Sequence, residues 1–330
     1  MFKRIFEFLM KEKITRILGR SEIIATLLFL LVFIFFSNSC TDFFSIDMFS
    51  IILLLGAELG IIAIGEALLI ISGEIDLSVA SVYGWSVLLC TLLTNRGLPF
   101  PLSALIAVAF GCLIGLLNGF ITLRFKIPSL ITTLASMWVL RGLLIGVFGG
   151  HFFSYKGGPS LLLGLLGGKI GFIPRLFLWL LAFGIIFSIL LTRAKFGNWV
   201  FATGGDKDTA KALGVNTYRV KLTCFMISSG LAAFAGVAYL GRTKWFMTRI
   251  GMSNLGYGLE LEAICVAIMG GTSFFGGVGN ISAVCLAALA FSSFKSGLTL
   301  AGLSGYWLDA FVAILLIAFC VLQRQGIKKF

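Results

Sequence analysis

The stretch ISGEIDLSVASVYG, residues 71–84, sets Glu74 and Asp76 beside a glycine in the middle of apolar sequence. A charge at the centre of a bilayer costs from about 2.5 kcal/mol upward, so carboxylates in such surroundings face a protein interior, pair, or line a pathway. Working outward, the surroundings are uniformly greasy. The 330 residues are 59% apolar and only 12% charged, with a mean hydropathy of +1.05, against roughly 45–50% apolar and about 25% charged in soluble domains. The composition is that of a polytopic membrane protein.

Apolar runs at about 22–38, 49–72, 77–94, 101–123, 128–149, 172–192, 221–241, 258–271, 281–297 and 305–322 give ten candidate spans, each near the roughly 20 residues a crossing helix needs. The expected fold is all-α: one membrane helix bundle over 1–330, with a basic tail at 1–21 and little length left for a soluble domain. Barrel strands are excluded because their alternating pattern is missing. Placing the N-terminus in the cytoplasm puts seventeen of the 26 Lys and Arg on inside segments and six on outside loops. That bias predicts both termini inside. The net charge of +12 is thereby explained by orientation, and no basic face with interleaved aromatics suggests nucleic acid.

The seven cysteines are scattered singly in or beside apolar runs, as small buried hydrophobes rather than metal or redox pairs. His151 is the sole histidine, which excludes multi-histidine metal sites and a hydrolase triad, and GLLGGKI (164–170) lacks the spacing of a phosphate loop. An intramembrane enzyme is the weaker class. Gly111, Gly115 and Gly119 in GCLIGLLNG share one helical face, a spacing that lets helices approach closely. Gly56 with Gly60, and Gly142 with Gly146, repeat it.

A second glycine-rich break, MGGTSFFGGVGN (269–280), stands in the place that corresponds to the first. Each break follows an apolar run that itself holds a carboxylate, Glu66 or Glu262, and the offset of six spans suggests an internal repeat of parallel sense. Interrupted helices in matching halves point to a transport pathway, since freed backbone groups must face protein or water. The ionisable residues in or near spans have two readings: interior pairing, for example of Glu66 or Glu262 with Arg141, or a pathway role.

The longest cytoplasmic segment, 193–221, contains DKDTAKALG. Asp206 is placed to cap a short helix that has Asp208 in its first turn and Gly214 at its end.

Three blocks carry a resemblance to a known family. SGEIDLSVAS (72–81), FGNWVFATGGDKDTAKALGVNTYRVK (196–221) and ELEAICVAIMGGTSFFGGVGN (260–280) resemble, in order, segments of the transmembrane permease subunit of sugar-type ATP-binding-cassette importers, the ribose/xylose/autoinducer-2 class. GLLNGFI and RFKIPSLITTLASMWVLRG resemble further segments. Glu74, Ala80 and Asp206 depart from the family pattern, where glycine, glycine and asparagine are usual.

The resemblance implies a pump of two permease subunits, identical or homologous, two cytosolic ATPases and an extracytoplasmic solute-binding protein, set in a bacterial-type inner membrane. ATP would be used by the partner subunits, with no cofactor on this chain and no enzymatic role for it. The solute would be a monosaccharide or similar small hydroxylated molecule; a nucleoside or other polar solute, or proton coupling, are the alternatives. The coupling segment would comprise Gly205, Asp206, Thr209, Ala210, Ala212, Leu213 and Gly214. Asp76, Ser78, Asn118, Glu262, Thr272 and Ser273 are the candidates for the translocation pathway. For Asp76 a purely structural role, capping the third span with Ser78 in its first turn, stands beside that reading. Glu74 has no assigned role.

Overall fold

The computed structural model describes residues 21–148, 152–153, 155–243, 250–251, 255–303 and 305–327. The basic tail, apart from Ser21, and His151 lie outside these residues. In chain order the elements are α1 (Ser21–Ser39), α2 (Ile46–Ile71), α3 (Val79–Asn95), α4 (Phe100–Phe125), α5 (Ser129–Phe148), β1 (Phe152–Phe153) and α6 (Leu161–Gly167). After a small hairpin, β2 (Lys169–Ile170) with β3 (Ile173–Pro174), come α7 (Arg175–Arg193), α8 (Lys195–Gly205), α9 (Lys207–Ala212) and α10 (Thr217–Thr243). Then follow β4 (Ile250–Gly251), antiparallel to β1, and α11 (Leu259–Met269), α12 (Ile281–Leu300) and α13 (Gly305–Ile327). The molecule is an all-α membrane bundle.

Among the described residues seven helices are long and apolar enough to cross a bilayer: α1, α2, α4, α5, α7, α10 and α12. α3 and the apolar part of α13 are shorter. The run at 258–271, read from hydropathy as a tenth crossing, is corrected by the backbone. Its helix α11 has 11 residues, about 16 Å at 1.5 Å per residue, half of a hydrocarbon core about 30 Å thick. Gly258 (φ 83°) and Gly271 (φ 83°) bound it in left-handed conformations, and hydropathy averaging does not see such stops.

α2 and α10 form the centre, with 72% and 78% of their apolar windows buried against 11% for α1. α10 lies against α4, α3 and α2, while α12 lies against α2 and α1. The α4–α10 contact uses the predicted glycine face. A Cβ on Gly115 would stand 2.3 Å from the Phe225 carbonyl oxygen, and one on Gly111 would stand 2.4 Å from Ala233 Cβ. Gly56 and Gly60 of α2 likewise meet Leu289 and Leu180. Gly142 and Gly146 do not follow: among the described residues a side chain there would meet nothing within 4 Å.

Candidate functional site

The two breaks begin with the same local structure. At the end of α2 the amide of Gly73 donates to Ile70 O and that of Glu74 to Leu69 O. At the end of α11 the amide of Gly271 donates to Ile268 O and that of Thr272 to Ala267 O. Both are Schellman stops, with a glycine at φ 85° or 83° where only a residue lacking Cβ is unstrained. The same pair of bonds closes α3, α9 and α12, so the motif is this chain's common way of ending a helix.

The breaks also touch each other. Gly277 of the second donates its amide to Ile71 O at the end of α2, at 2.9 Å. Against this bond lies the glycine pair that closes α8: a Cβ on Gly204 would lie 1.7 Å from Ile71 O and 2.8 Å from Gly277 N. Asp206 follows directly and caps α9, its Oδ1 accepting from the amides of Asp208 and Thr209, both at 3.0 Å, and its Oδ2 from the Thr209 hydroxyl at 2.7 Å. These bonds, the Thr209 hydroxyl foremost, hold the Asp206 carboxyl below the usual range. On α9 and its end, Ala212, Leu213 and Gly214 are exposed, as are Gly205 and Thr209, whereas Ala210 is buried. Leu213 is 79% exposed.

The pathway candidates fall into three places. Asp76, Ser78 and Asn118 form one buried hydrogen-bonded chain: Asp76 Oδ1 accepts from the amide (2.9 Å) and hydroxyl (2.6 Å) of Ser78, whose Oγ accepts from Asn118 Nδ2 at 2.8 Å. The Ser229 hydroxyl donates to Asp76 Oδ2 at 2.7 Å, and Ser228 donates to Glu66 Oε1 at 3.1 Å. Asp76 thus holds the start of α3 and staples it to α10. Thr272 and Ser273 stand apart, in the second break. Thr272 is buried, and its carbonyl accepts from Gln323 Nε2 of α13 at 2.9 Å. Ser273 is half-buried, with its hydroxyl accepting from the Phe275 amide at 3.3 Å.

Glu262 lies elsewhere again, on a cavity of about 250 Å³ between α2, α3, α10, α11 and α12. On α10 this cavity is lined by Tyr239 and Arg242, some 33–37 Å along the helix from Thr217, so it lies at the end of the bundle away from α9. Two ion pairs stand in its wall: Lys295 Nζ with Glu262 Oε1 at 2.5 Å, and Arg242 Nη1 with Glu58 Oε2 at 3.0 Å. The Tyr83 hydroxyl donates to Glu58 Oε1. Arg242 also sits over the Tyr239 ring, 4.7 Å from its centroid.

Interior pairing of Glu66 or Glu262 with Arg141 is corrected by these contacts. Glu66 takes Ser228, Glu262 takes Lys295, and the Arg141 guanidinium stands over Tyr257, 5.1 Å from the ring centroid. Glu74, unassigned from sequence, pairs with Lys221 at 2.6 Å and ties the first break to α10. Sequence reasoning missed Tyr83, Ser228, Ser229 and Arg242. The serines and the tyrosine carry no charge to mark them inside an apolar run, and Arg242 at the end of its run reads as a loop residue.

Residues 48–320 match the family described as branched-chain amino acid transport system / permease component. Among similar proteins, the xylose/arabinose import permease protein XylH of Sulfolobus acidocaldarius is 32% identical over 299 residues, 88% of this chain and 81% of the relative. The inner membrane ABC transporter permease protein YjfF of Escherichia coli is 33% identical over 280 residues, 81% of each. The autoinducer 2 import system permease protein LsrC of Salmonella typhi is 27% identical over 314 residues, 92% of this chain and 88% of the relative. No solved structure matches. With most of its length so matched, the chain belongs to the branched-chain amino acid transport system / permease component family of membrane proteins.

Proposed function

We propose that this chain is the membrane-spanning permease subunit of an ATP-binding-cassette importer that brings a monosaccharide or similar small hydroxylated solute across the inner membrane into the cytoplasm. Relatives named for xylose/arabinose and autoinducer-2 import support the solute class. The free energy comes from ATP hydrolysed on separate cytosolic subunits. A second permease subunit and an extracytoplasmic solute-binding protein complete the assembly, with both termini of this chain in the cytoplasm. The ten-crossing topology requires α11 together with its break to count as one interrupted crossing, which keeps both termini on the same side.

The observation that carries this reading is the seat of α9. It emerges from a glycine pair that touches both breaks at the point where they bond to each other. A push on α9 by a partner ATPase therefore reaches α2 and α11 through backbone contacts, which have no side-chain slack. Packed elements of this kind respond by switching between discrete arrangements rather than by bending smoothly.

The test replaces Leu213, whose side chain is exposed, by glutamate in the assembled transporter. Uptake should fall by about tenfold or more while ATP hydrolysis continues, the loss expected when roughly 1.4 kcal/mol or more of docking is removed. Unchanged uptake per ATP removes α9 from the coupling role. The carboxylates Glu66 and Asp76, buried with hydroxyl rather than cationic partners, favour proton coupling as a second reading. Uptake that collapses with an uncoupler at constant ATP would select it.

A further inference from the structure

At the end of the bundle from which α9 emerges, a cavity of about 570 Å³ opens between α4, α9 and α10. Three lysines line it: Lys126 at the end of α4, and Lys207 and Lys211 on α9. With one carboxylate, Asp208, in the same wall, the lining carries a formal charge of +2. All three lysines are exposed. Among the described residues none of them has an ion-pair partner, whereas Lys221 and Lys295 each hold a glutamate. Asn216 and Tyr218 add an amide and a hydroxyl, so the lining can give several hydrogen bonds to one anion.

Lys126 is held there against the preference of its backbone. α2, α3, α9, α11 and α12 all end at glycines with φ between 83° and 96°, but α4 ends at Lys126 with φ 56°, the one non-glycine residue at positive φ among those described. A Cβ is disfavoured in this conformation, so local geometry asks for glycine and does not account for a lysine. Strain kept at such a position points to a role for its side chain. Depth then selects the anion. α4 has 26 residues, about 39 Å at 1.5 Å per residue, and outruns a hydrocarbon core about 30 Å thick, so its last turn stands among lipid headgroups. Towards the membrane centre the wall turns apolar. Phe120 of α4, 46% exposed, lies one turn from Leu123 of the cavity, and half-buried Leu222 of α10 lies one turn from Tyr218. Leu116 and Met226 continue these two sides. A cationic pocket at headgroup depth beside an apolar track matches a molecule with an anionic head and acyl chains; a soluble phosphate would leave the track unused.

Resting on the orientation in the permease reading above, which puts α9 in the cytoplasm, we infer that this cavity binds the phosphate of an anionic phospholipid of the inner leaflet. Lys126, Lys207 and Lys211 hold the phosphate, and an acyl chain lies along Phe120 and Leu222. Basic pockets between membrane helices on the cytoplasmic side suit such headgroups, since the leaflet there is rich in anionic lipid. The bound lipid bridges α4 to α9 and fastens that helix, only six residues long, to the membrane surface.

The test titrates the purified full chain, stripped of lipid in a mild detergent, with phosphatidylglycerol or phosphatidylcholine, and counts bound lipids by native mass spectrometry. The first phosphatidylglycerol should bind about 25-fold more tightly than phosphatidylcholine, the effect of two net charges at about fivefold each. Lys207→Gln and Lys211→Gln should each weaken it about fivefold and leave phosphatidylcholine unchanged. Lys126→Gly separates binding from folding: glycine suits the left-handed turn, so the unfolding temperature should hold or rise while phosphatidylglycerol affinity falls by a similar factor. Phosphatidylglycerol binding that ignores all three substitutions, or that inorganic phosphate at equal concentration displaces, overturns the inference. So do lysine variants that keep the lipid and instead lose the partner ATPase on co-purification, since the surface would then dock a protein. Sugar uptake by the parent transporter in vesicles is followed in parallel. Lysine-dependent lipid binding without uptake keeps the site and removes the permease reading, whereas uptake without that binding does the reverse.

Discussion

Lys221 and Glu74 are the clearest case of a residue whose partner decides its value. Their side chains are 8% and 14% exposed and 2.6 Å apart. Removing one partner leaves a buried charge alone, which costs about 3–5 kcal/mol, while replacing both by neutral groups of similar size is close to neutral. Lys221→Met should therefore lower the temperature of irreversible aggregation in detergent, and the added change Glu74→Gln should restore most of the loss. A single variant as stable as the parent would mean the pair is solvated after all. The glutamate stood out in the sequence, but its partner, 147 positions away, did not. Side-chain pairing of this kind is set by how helices come together, and one sequence carries no record of that.

At the scale of elements, what could be read locally was read. Asp206 caps α9 and glycines stop α2 and α11, because caps and stops are chemistry among neighbours within five residues. The length of α11 was not legible, since a hydropathy window runs across glycines that the backbone treats as ends. Two outcomes follow for α9. Because the Asp206 carboxyl is held low, the folded form binds its proton less readily than the unfolded one. The cap is then intact above the ordinary aspartate value of about 3.9 and is lost as pH falls below it through the lower folded value. Hydrogen exchange at the amides of Asp208 and Thr209 should show constant protection between pH 5 and about 8 beyond the intrinsic pH effect, and Asp206→Ala should abolish it. Ala210 supplies the contrast to Leu213. It is 2% exposed, so Ala210→Glu should unseat α9 and reduce the yield of folded protein, whereas Leu213→Glu should leave the yield unchanged.

For the whole molecule, the family and the bundle were legible because apolar length and glycine-rich blocks are properties of the chain itself. The cavity was not, because it is assembled from five helices and only Glu262 of its wall had been singled out as a pathway residue. Reconstituted alone in liposomes, the chain should accumulate no D-xylose, with or without a proton gradient; uphill uptake under the gradient alone would refute an ATP-driven engine. The paired ions of the cavity wall bear on how the transporter meets membrane voltage. One elementary charge moved through 100 mV is worth about 2.3 kcal/mol, enough to make a charged gate run fast or slow with the energetic state of the cell. Here every wall carboxylate travels with its own cation, and a neutral cargo adds nothing. Motion of this wall thus displaces little net charge, and uptake into vesicles clamped with potassium and valinomycin should be the same at any polarity. Such a transporter keeps feeding a starved cell whose membrane has gone electrically flat, for as long as some ATP remains.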